Sequence, residues 1–131
     1  MAKISFDFDS TLTVDVVYDL AEKLIGEGHE VWLVTSRFEK TDSSGNIVNN
    51  DDLFDLAWEL GIPKERIHFC NMKDKYVFLE NKGFLWHLDD DEVELSLLRE
   101  NTDVLPIWRK SGNDWLNQCL DSIRIFSKTK I

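Results

Sequence analysis

Short runs of apolar residues alternate along this chain with longer stretches in which apolar residues recur every three or four positions. The short runs predict five strands and the recurring stretches predict five helices. The predicted strands cover residues 4–9, 31–34, 67–70, 84–88 and 104–108, and the predicted helices cover residues 14–28, 53–60, 75–82, 91–99 and 113–126. This alternation predicts an α/β three-layer sandwich, a single domain spanning 1–131 around a mostly parallel, five-stranded Rossmann-like sheet.

Residues 37–50 interrupt the alternation. Turn-forming residues at 41–46 are followed by only a brief apolar pair, Ile47 and Val48. The segment therefore predicts a surface loop or a small hairpin, and it is long enough to have a functional role.

Polar residues stand at the ends of three predicted strands. They are Asp7 and Asp9 at the end of the first strand, Thr35 and Ser36 after the second, and Asp89 and Asp90 after the fourth. Open parallel α/β sheets bind their ligands beside the carboxyl ends of the strands. The three polar groups therefore predict one binding site at that edge of the sheet.

Asp7 and Asp9 are separated by one residue, which places both carboxylates on the same side of an extended strand. Two like charges this close favour either a shared proton or a bound cation. Mg2+ prefers oxygen ligands of this kind, so the pair predicts a magnesium site. The alternative is an edge strand in which Ser5, Asp7 and Asp9 face water while the intervening apolar residues face the core.

Composition narrows the classes of function. The 131 residues carry a formal net charge of −10, and 43% of them are hydrophobic, which is typical of a globular domain. An acidic surface disfavours contact with extended nucleic acid and with anionic membranes. The sequence shows no signal-peptide pattern, no apolar stretch near the ~18 residues of a membrane span, and no metal-type or redox-type cysteine spacing. We therefore expect a cytoplasmic protein without membrane contact.

The polar groups suit phosphoryl chemistry. Three carboxylates from the ends of the first and fourth strands, among Asp7, Asp9, Asp89 and Asp90, can hold Mg2+. The hydroxyl of Thr35 or Ser36 can bind an anionic oxygen. Together with a lysine they would form a clamp for a phosphoryl group. One aspartate would then act as the nucleophile and a second as the general acid and base.

Three lysines are candidates for the cation of that clamp. Lys75 is the best placed, because it stands at the start of a predicted helix. Lys73 is close enough to be an alternative, whereas Lys64 precedes the third strand and is the poorer candidate.

These motifs resemble those of the haloacid dehalogenase (HAD) superfamily. Asp7-Phe8-Asp9-Ser10-Thr11 matches its first motif, in which an aspartate, any residue, an aspartate, any residue and a threonine follow one another. Residues 31–35 resemble the second motif, Lys75 the third, and Leu88-Asp89-Asp90 the fourth. The four motifs occur in the family's order, and the resemblance extends nearly to the fifth strand. It implies a HAD-like hydrolase domain.

The resemblance implies a role for each matching residue. Asp7 would be the nucleophile and a Mg2+ ligand. Asp9 would be the general acid and base, with its main-chain carbonyl on the metal. Thr35 would hold the phosphoryl group and Lys75 would stabilise it, while Asp89 would complete the metal site with Asp90 in support.

A second aspartate in the first motif is typical of the phosphatases of that superfamily. The resemblance therefore implies a Mg2+-dependent phosphatase that hydrolyses a phosphate monoester through an aspartyl-phosphate. Thr11, Ser36 and Arg37 are the predicted substrate-binding residues. Arg37 has a plain alternative, namely an exposed arginine of the loop.

The chain leaves no room for the cap domains of that superfamily. One predicted helix separates the first two motifs, and the loop at 37–50 and one further helix separate the second and third. The resemblance is therefore to a capless member, in which that loop or a homo-oligomer partner would help to close the site.

Several functions stay open at this point. The phosphorylated substrate is either a small molecule or a macromolecular end, and Thr35-Ser36-Arg37 together with the capless plan resemble the 3′-phosphatase domain of polynucleotide kinases. Phosphoryl transfer to an acceptor other than water would use the same residues. A non-catalytic module that binds Mg2+ or phosphate is the alternative outside enzymes.

Two further residues have structural interpretations. His87 lies inside an apolar strand, which predicts a buried, hydrogen-bonded core histidine rather than a ligand. Asp91 is interpreted as a carboxylate at a helix N-terminus, where the helix dipole favours negative charge. The alternative is a residue that supports the metal site in place of Asp90.

Overall fold

Five short strands form one parallel sheet in the computed structural model, which describes residues 1–110 and 112–129. In chain order the strands are β1 (Lys3–Phe6), β2 (Glu30–Thr35), β3 (Ile67–Phe69), β4 (Trp86–Asp89) and β5 (Leu105–Trp108). They lie in the order β3, β2, β1, β4, β5, and every neighbouring pair is parallel. The predicted α/β fold with a parallel five-stranded sheet is confirmed.

Helices cover both faces of this sheet. They are α1 (Asp15–Gly26), α2 (Asp51–Leu60), α3 (Lys75–Leu79), α4 (Glu92–Asn101) and α5 (Trp115–Thr129). Apolar side chains of α1, α2 and α5 pack into one core cluster, and those of α3 and α4 pack into a second. In α1, for example, Val17, Leu20 and Leu24 recur at helical spacing and are buried against the sheet. The three layers follow from this arrangement.

Strand β1 lies at the centre of the sheet, hydrogen-bonded to β2 on one side and to β4 on the other. Ser5 is fully buried there. The alternative of an edge strand with Ser5 facing water is therefore wrong, because both sides of β1 are paired and both faces are covered by helices.

The first strand ends earlier than its pattern predicts. Strand β1 stops at Phe6, and the chain then enters a kinked helical turn over Phe8–Leu12. Ser10 takes a left-handed conformation in that turn, with φ of 60°. Asp7 and Asp9 consequently do not alternate along one extended strand, and their side chains have different surroundings.

Helix α3 is also shorter than predicted. It ends at Leu79 rather than at residue 82, because Glu80 is extended and Asn81 is left-handed with φ of 58°. This turn returns the chain to the sheet, where Leu85 N–H donates to the carbonyl of Lys3.

The loop at 37–50 contains a small hairpin. Thr41 and Ile47 form an antiparallel bridge, and the carboxylate of Asp42 accepts hydrogen bonds from the main-chain N–H groups of Ser44 and Asn46. The hairpin interpretation of this segment is confirmed. Nowhere in 1–110 or 112–129 is a helix both long and apolar enough to cross a membrane.

Candidate functional site

The register of the two central strands brings Asp7 and Asp89 together. Phe6 of β1 is aligned with Leu88 of β4, so the residues that follow them lie side by side at the carboxyl edge. The main-chain N–H of Asp7 donates to the carbonyl of Leu88 at 2.9 Å. Asp7 is 5% exposed and Asp89 is fully buried. Two carboxylates thus meet where water is largely excluded, and charge is costly there unless it is compensated.

A third carboxylate completes an acidic cluster. Asp7, Asp89 and the exposed Asp90 each offer an oxygen atom, and these atoms all lie within 4.8 Å of one another. Carboxylate oxygens converging from two strands are a donor set that Mg2+ favours, with water filling the remaining positions. The residues present therefore fit a magnesium ion.

Lys75 provides positive charge inside the cluster. Its Nζ donates to Asp7 Oδ1 at 2.7 Å and to Asp89 Oδ2 at 2.6 Å, and the residue is only 3% exposed. Lys75 is the first residue of α3, and its main-chain N–H is held by the Glu94 carboxylate of α4 at 3.1 Å. The start of α3 therefore directs this lysine onto both strands.

The two alternative lysines lie elsewhere. Lys73 is exposed, and Lys64 lies in a short helical turn, Lys64–Arg66, that precedes β3 and so stands at the opposite edge of the sheet. The geometry therefore favours Lys75 as the lysine of the site.

The electrostatics of the cluster disfavour a second negative charge beside Asp89. Burial, together with the nearby charge of Asp89, raises the pKa of Asp7 to about 8. Burial opposes the charge on Lys75 as well, but the two carboxylates outweigh it and raise the pKa of Lys75 above its usual value. The ammonium group of Lys75 thus contacts two buried carboxyl groups. A second cation bound beside them would lower the pKa of Asp7 and favour its ionised form.

A buried histidine orients Asp89. His87 Nε2 lies 2.7 Å from Asp89 Oδ2, and His87 Nδ1 lies 2.7 Å from the hydroxyl of Ser5. Burial lowers the pKa of His87, so we assign the neutral ring, in which Nε2–H donates to Asp89 and Nδ1 accepts from Ser5. Burial also opposes ionisation of Asp89, but the hydrogen bond from His87 and the charge of Lys75 hold its pKa well below the usual range. The prediction of a buried, hydrogen-bonded histidine is confirmed.

Asp9 points away from the cluster. Its side chain is 57% exposed and pairs with Arg37, whose Nε and Nη2 lie 3.0 and 2.8 Å from the two carboxylate oxygens. Arg37 also binds both oxygens of Asp52, at 2.8 and 2.9 Å. Arg37 therefore joins the turn after β1 to the start of α2. The expectation that the main-chain carbonyl of Asp9 binds the metal stays a prediction.

Hydroxyl groups line the same edge. Thr11 is buried, and its hydroxyl donates to Asp7 Oδ2 at 3.1 Å, so it orients the carboxylate. Thr35 is buried at the end of β2, where its Oγ1 accepts from the N–H of Arg37 at 3.2 Å. Ser36 follows it and is half-buried. The predicted hydroxyl residues thus lie at and just after the end of β2 and on the turn after β1.

Asp91 caps α4. Its carboxylate accepts from the main-chain N–H groups of Val93 and Glu94 at 3.0 and 3.4 Å. The interpretation as a helix N-terminal carboxylate is confirmed, and this side chain is committed to the helix rather than to the acidic cluster.

Three contributors to the site were missed by the sequence analysis: Ser5, Glu94 and the orienting role of His87. The spacing of His87 and Asp89, two residues apart on one strand, was the available signal, because such residues share a face of the sheet. Ser5 and Glu94 act through contacts between elements, for which the sequence carries no local signal.

Comparison of the chain with protein-family models, with curated proteins and with solved structures yields no match. The functional argument therefore rests on the residues and geometry of the site.

Proposed function

We propose that this protein is a Mg2+-dependent phosphatase of the HAD superfamily, which hydrolyses a phosphate monoester through an aspartyl-phosphate on Asp7. The observation that supports this proposal best is the set of contacts around Asp7. Its carboxylate is buried at the end of the central strand, bonded to Lys75 through one oxygen and to Thr11 through the other. This arrangement suits a nucleophile held in one orientation for in-line attack.

Asp7, Asp89 and Asp90, with the main-chain carbonyl of Asp9, would hold the magnesium ion. When bound, Mg2+ would supply positive charge that offsets the clustered carboxylates and the phosphoryl oxygens. Lys75 would add its own charge, because its ammonium lies 2.7 Å from the nucleophilic carboxylate. The hydroxyl groups of Thr35 and Ser36 would donate hydrogen bonds to the phosphoryl oxygens.

The reaction would take place in two displacements. In the first, the Asp7 carboxylate forms a bond to phosphorus while the ester P–O bond breaks, and protonated Asp9 donates its proton to the leaving oxygen. In the second, water attacks the phosphorus of the aspartyl-phosphate and gives its proton to Asp9. Inorganic phosphate leaves and the Asp7 carboxylate is restored.

Asp9 would have to turn from Arg37 toward the substrate for these steps. Its side chain is exposed at the rim of the site, so the rotation displaces no core residue. Arg37 would keep Asp52 as a partner, and Asn50 Oδ1 accepts from its Nη1 at 3.3 Å. The ion pair is thus compatible with Asp9 acting as acid and base once substrate is bound.

The experiment that tests the proposal is hydrolysis of a generic aryl phosphate, with Mg2+ and with EDTA. We expect activity that requires Mg2+ and falls by about a thousandfold or more in Asp7→Asn, which keeps the size of the side chain but removes the nucleophile. Asp121→Asn makes the same chemical change on the exposed face of α5 and serves as the matched control.

Near-normal activity of Asp7→Asn would refute the covalent mechanism. If the wild-type protein hydrolyses neither the aryl ester nor a panel of sugar phosphates, nucleotides and 3′-phosphorylated oligonucleotides, the non-catalytic Mg2+- or phosphate-binding module becomes the better interpretation. Release of less inorganic phosphate than leaving group would indicate phosphoryl transfer to another acceptor.

A further inference from the structure

A cleft opens beside the acidic cluster, on the side of β5. Its volume is about 580 Å3, and we name it the β5 cleft; its lining includes Ser10, Thr13, Asp90, Trp108, Arg109 and Lys110. Trp108 is aligned with Asp89 across the β4–β5 pair, and Arg109 N–H donates to the carbonyl of Asp89 at 2.8 Å. Because neighbouring strands lie about 4.8 Å apart, the cleft begins one strand away from Asp89.

The β5 cleft carries positive charge that is not committed to carboxylates. Arg109 and Lys110 are consecutive, and in the part of the chain that the structure describes neither forms an ion pair with an acidic side chain. Lys110 Nζ lies 4.5 Å from the ring centroid of Trp108, and the Arg109 guanidinium lies 5.9 Å from that of Trp115. Two adjacent free cations are notable in a protein with a net charge of −10.

Two other cations close to the acidic cluster, Lys75 and Arg37, are already engaged. Lys75 is bonded to Asp7 and Asp89, while Arg37 on the β2 side is bonded to Asp9 and Asp52. The carboxylate of Asp90, which also lines the β5 cleft, lies within the acidic cluster. An anionic ligand that extends from Asp7 toward β5 would therefore reach Arg109 and Lys110, the two cations without a carboxylate partner described above.

We propose that the β5 cleft binds a second phosphate group of the substrate, carried by the leaving group. This proposal rests on the proposed phosphatase function and specifies its substrate class as a bisphosphorylated compound. Arg109 and Lys110 would form charge-assisted hydrogen bonds to the second phosphate. The exposed hydroxyl groups of Ser10 and Thr13 lie on the wall of the cleft formed by the turn after β1.

The spacing of the strands sets the size of the connecting group. Strand β5 is two strands from β1, so the main chains that carry Asp7 and Arg109 are separated by about 10 Å. Lys75 lies within that span, where it contacts Asp7 and Asp89, and Lys110 lines the cleft at the far end. A spacer of about one sugar ring would therefore place one phosphate at Asp7 and the other in the β5 cleft.

The test compares kcat/KM for matched substrates. The pairs are a nucleoside 3′,5′-bisphosphate with the nucleoside 3′-phosphate, and fructose 1,6-bisphosphate with fructose 6-phosphate. We expect the wild-type protein to prefer the bisphosphate of at least one pair. That preference should fall about tenfold in Lys110→Gln and about tenfold in Arg109→Gln.

Lys23→Gln is the matched control. It removes the same charge from the last turn of α1, where Lys23 pairs with Glu27 at the opposite edge of the sheet. This variant should keep the wild-type preference. Lys110 is exposed, so Lys110→Gln tests the subsite even if Arg109→Gln fails to fold.

Binding to the Asp7→Asn variant with Mg2+, measured by calorimetry, separates the two proposals. Tighter binding of a bisphosphate that depends on Lys110, without hydrolysis of any ester by the wild-type protein, would support the subsite and contradict the phosphatase. Hydrolysis of monophosphates and bisphosphates with equal kcat/KM in the wild-type protein would overturn the subsite alone. An unchanged preference in both Lys110→Gln and Arg109→Gln would also overturn it.

Discussion

Lys75 joins three elements through one side chain. It starts α3, bonds to Asp7 after β1 and bonds to Asp89 at the end of β4. Burying an ion pair costs desolvation free energy that the pair itself barely recovers, so such a group is weak evidence for a purely stabilising role. Removal of one partner, by contrast, leaves a buried charge without compensation and is strongly destabilising.

We predict that Lys75→Met lowers the free energy of unfolding in metal-free buffer by about 3 kcal/mol. Methionine keeps most of the length of the side chain but removes the positive charge that contacts Asp7 and Asp89. Denaturant unfolding measures the effect, and aryl phosphatase activity should be lost in the same variant. Lys73→Met is the control, because Lys73 is exposed two residues away. Equal losses of activity in both variants would contradict the assignment of Lys75.

The raised pKa of Asp7 predicts that its contribution to the free energy of unfolding decreases as the pH rises. Its pKa is 3.8 in the unfolded chain and about 8 in the metal-free folded protein, chiefly because of burial and the charge of Asp89. Between these values the folded protein holds a proton that the unfolded chain has lost. The Asp7 contribution to stability is therefore present below pH 4 and is lost as the pH rises through about 8.

We expect this contribution to fall by up to about 1.4 kcal/mol per pH unit within that window. The measurement is the free energy of unfolding in EDTA, taken as the difference between the wild-type protein and Asp7→Asn. The difference is needed because His87, whose pKa is lowered by burial, contributes the opposite slope below about pH 6.5. A difference that does not change between pH 4 and 8 would show that Asp7 is not protonated in the folded protein.

The start of α4 gives three consecutive aspartates different environments. Asp89 ends β4 and is buried, Asp90 is exposed within the acidic cluster, and Asp91 accepts hydrogen bonds from the first turn of the helix. An N-cap carboxylate satisfies main-chain N–H groups that have no partner inside the helix. The change from strand to helix thus separates the acidic cluster from the helix cap along three adjacent residues.

We predict that Asp91→Ala lowers the free energy of unfolding by about 1 kcal/mol and leaves the Mg2+ dependence of hydrolysis unchanged. Asp90→Asn should do the reverse, raising the Mg2+ concentration needed for half-maximal rate with little effect on stability in EDTA. A magnesium titration of activity and a denaturant unfolding curve for each variant provide the comparison. A shifted titration for Asp91→Ala would assign a ligand role to Asp91 instead.

Much of the molecule could be predicted from the sequence because the relevant signals are local. The spacing of apolar residues indicates the strands and helices, and a parallel sheet then brings the ends of β1, β2 and β4 to one edge. The meeting of Asp7 and Asp89 follows from that topology, as does the position of Thr35.

Other features depend on contacts that no local pattern records. Asp9 turns to Arg37 because β1 ends at Phe6, three residues before Asp9, and because Arg37 lies beside the turn that follows β1. The choice of Lys75 over Lys73 depends on the direction in which α3 starts. The chain from Ser5 through His87 to Asp89 requires the pairing of β1 with β4.

Magnesium binding should change the stability of the whole molecule. A ligand that binds only the folded state adds about 2.7 kcal/mol at one hundred times its dissociation constant, which for a domain of this size is a rise in Tm of roughly 10 °C. The protein carries a net charge of −10, however, so any added salt also stabilises it by screening repulsion among its carboxylates. The experiment must separate these two effects.

We predict that MgCl2 raises the Tm more than NaCl of equal ionic strength does, and that the excess disappears in Asp89→Asn. Asp89 lies within the acidic cluster, and amidation removes one of its negative charges while keeping the shape of the side chain. Asp121→Asn lowers the net negative charge by the same amount on the exposed face of α5 and should keep the excess. Equal shifts with the two salts in the wild-type protein would mean that Mg2+ acts only by screening, and the acidic cluster would then lose its assignment as a metal site.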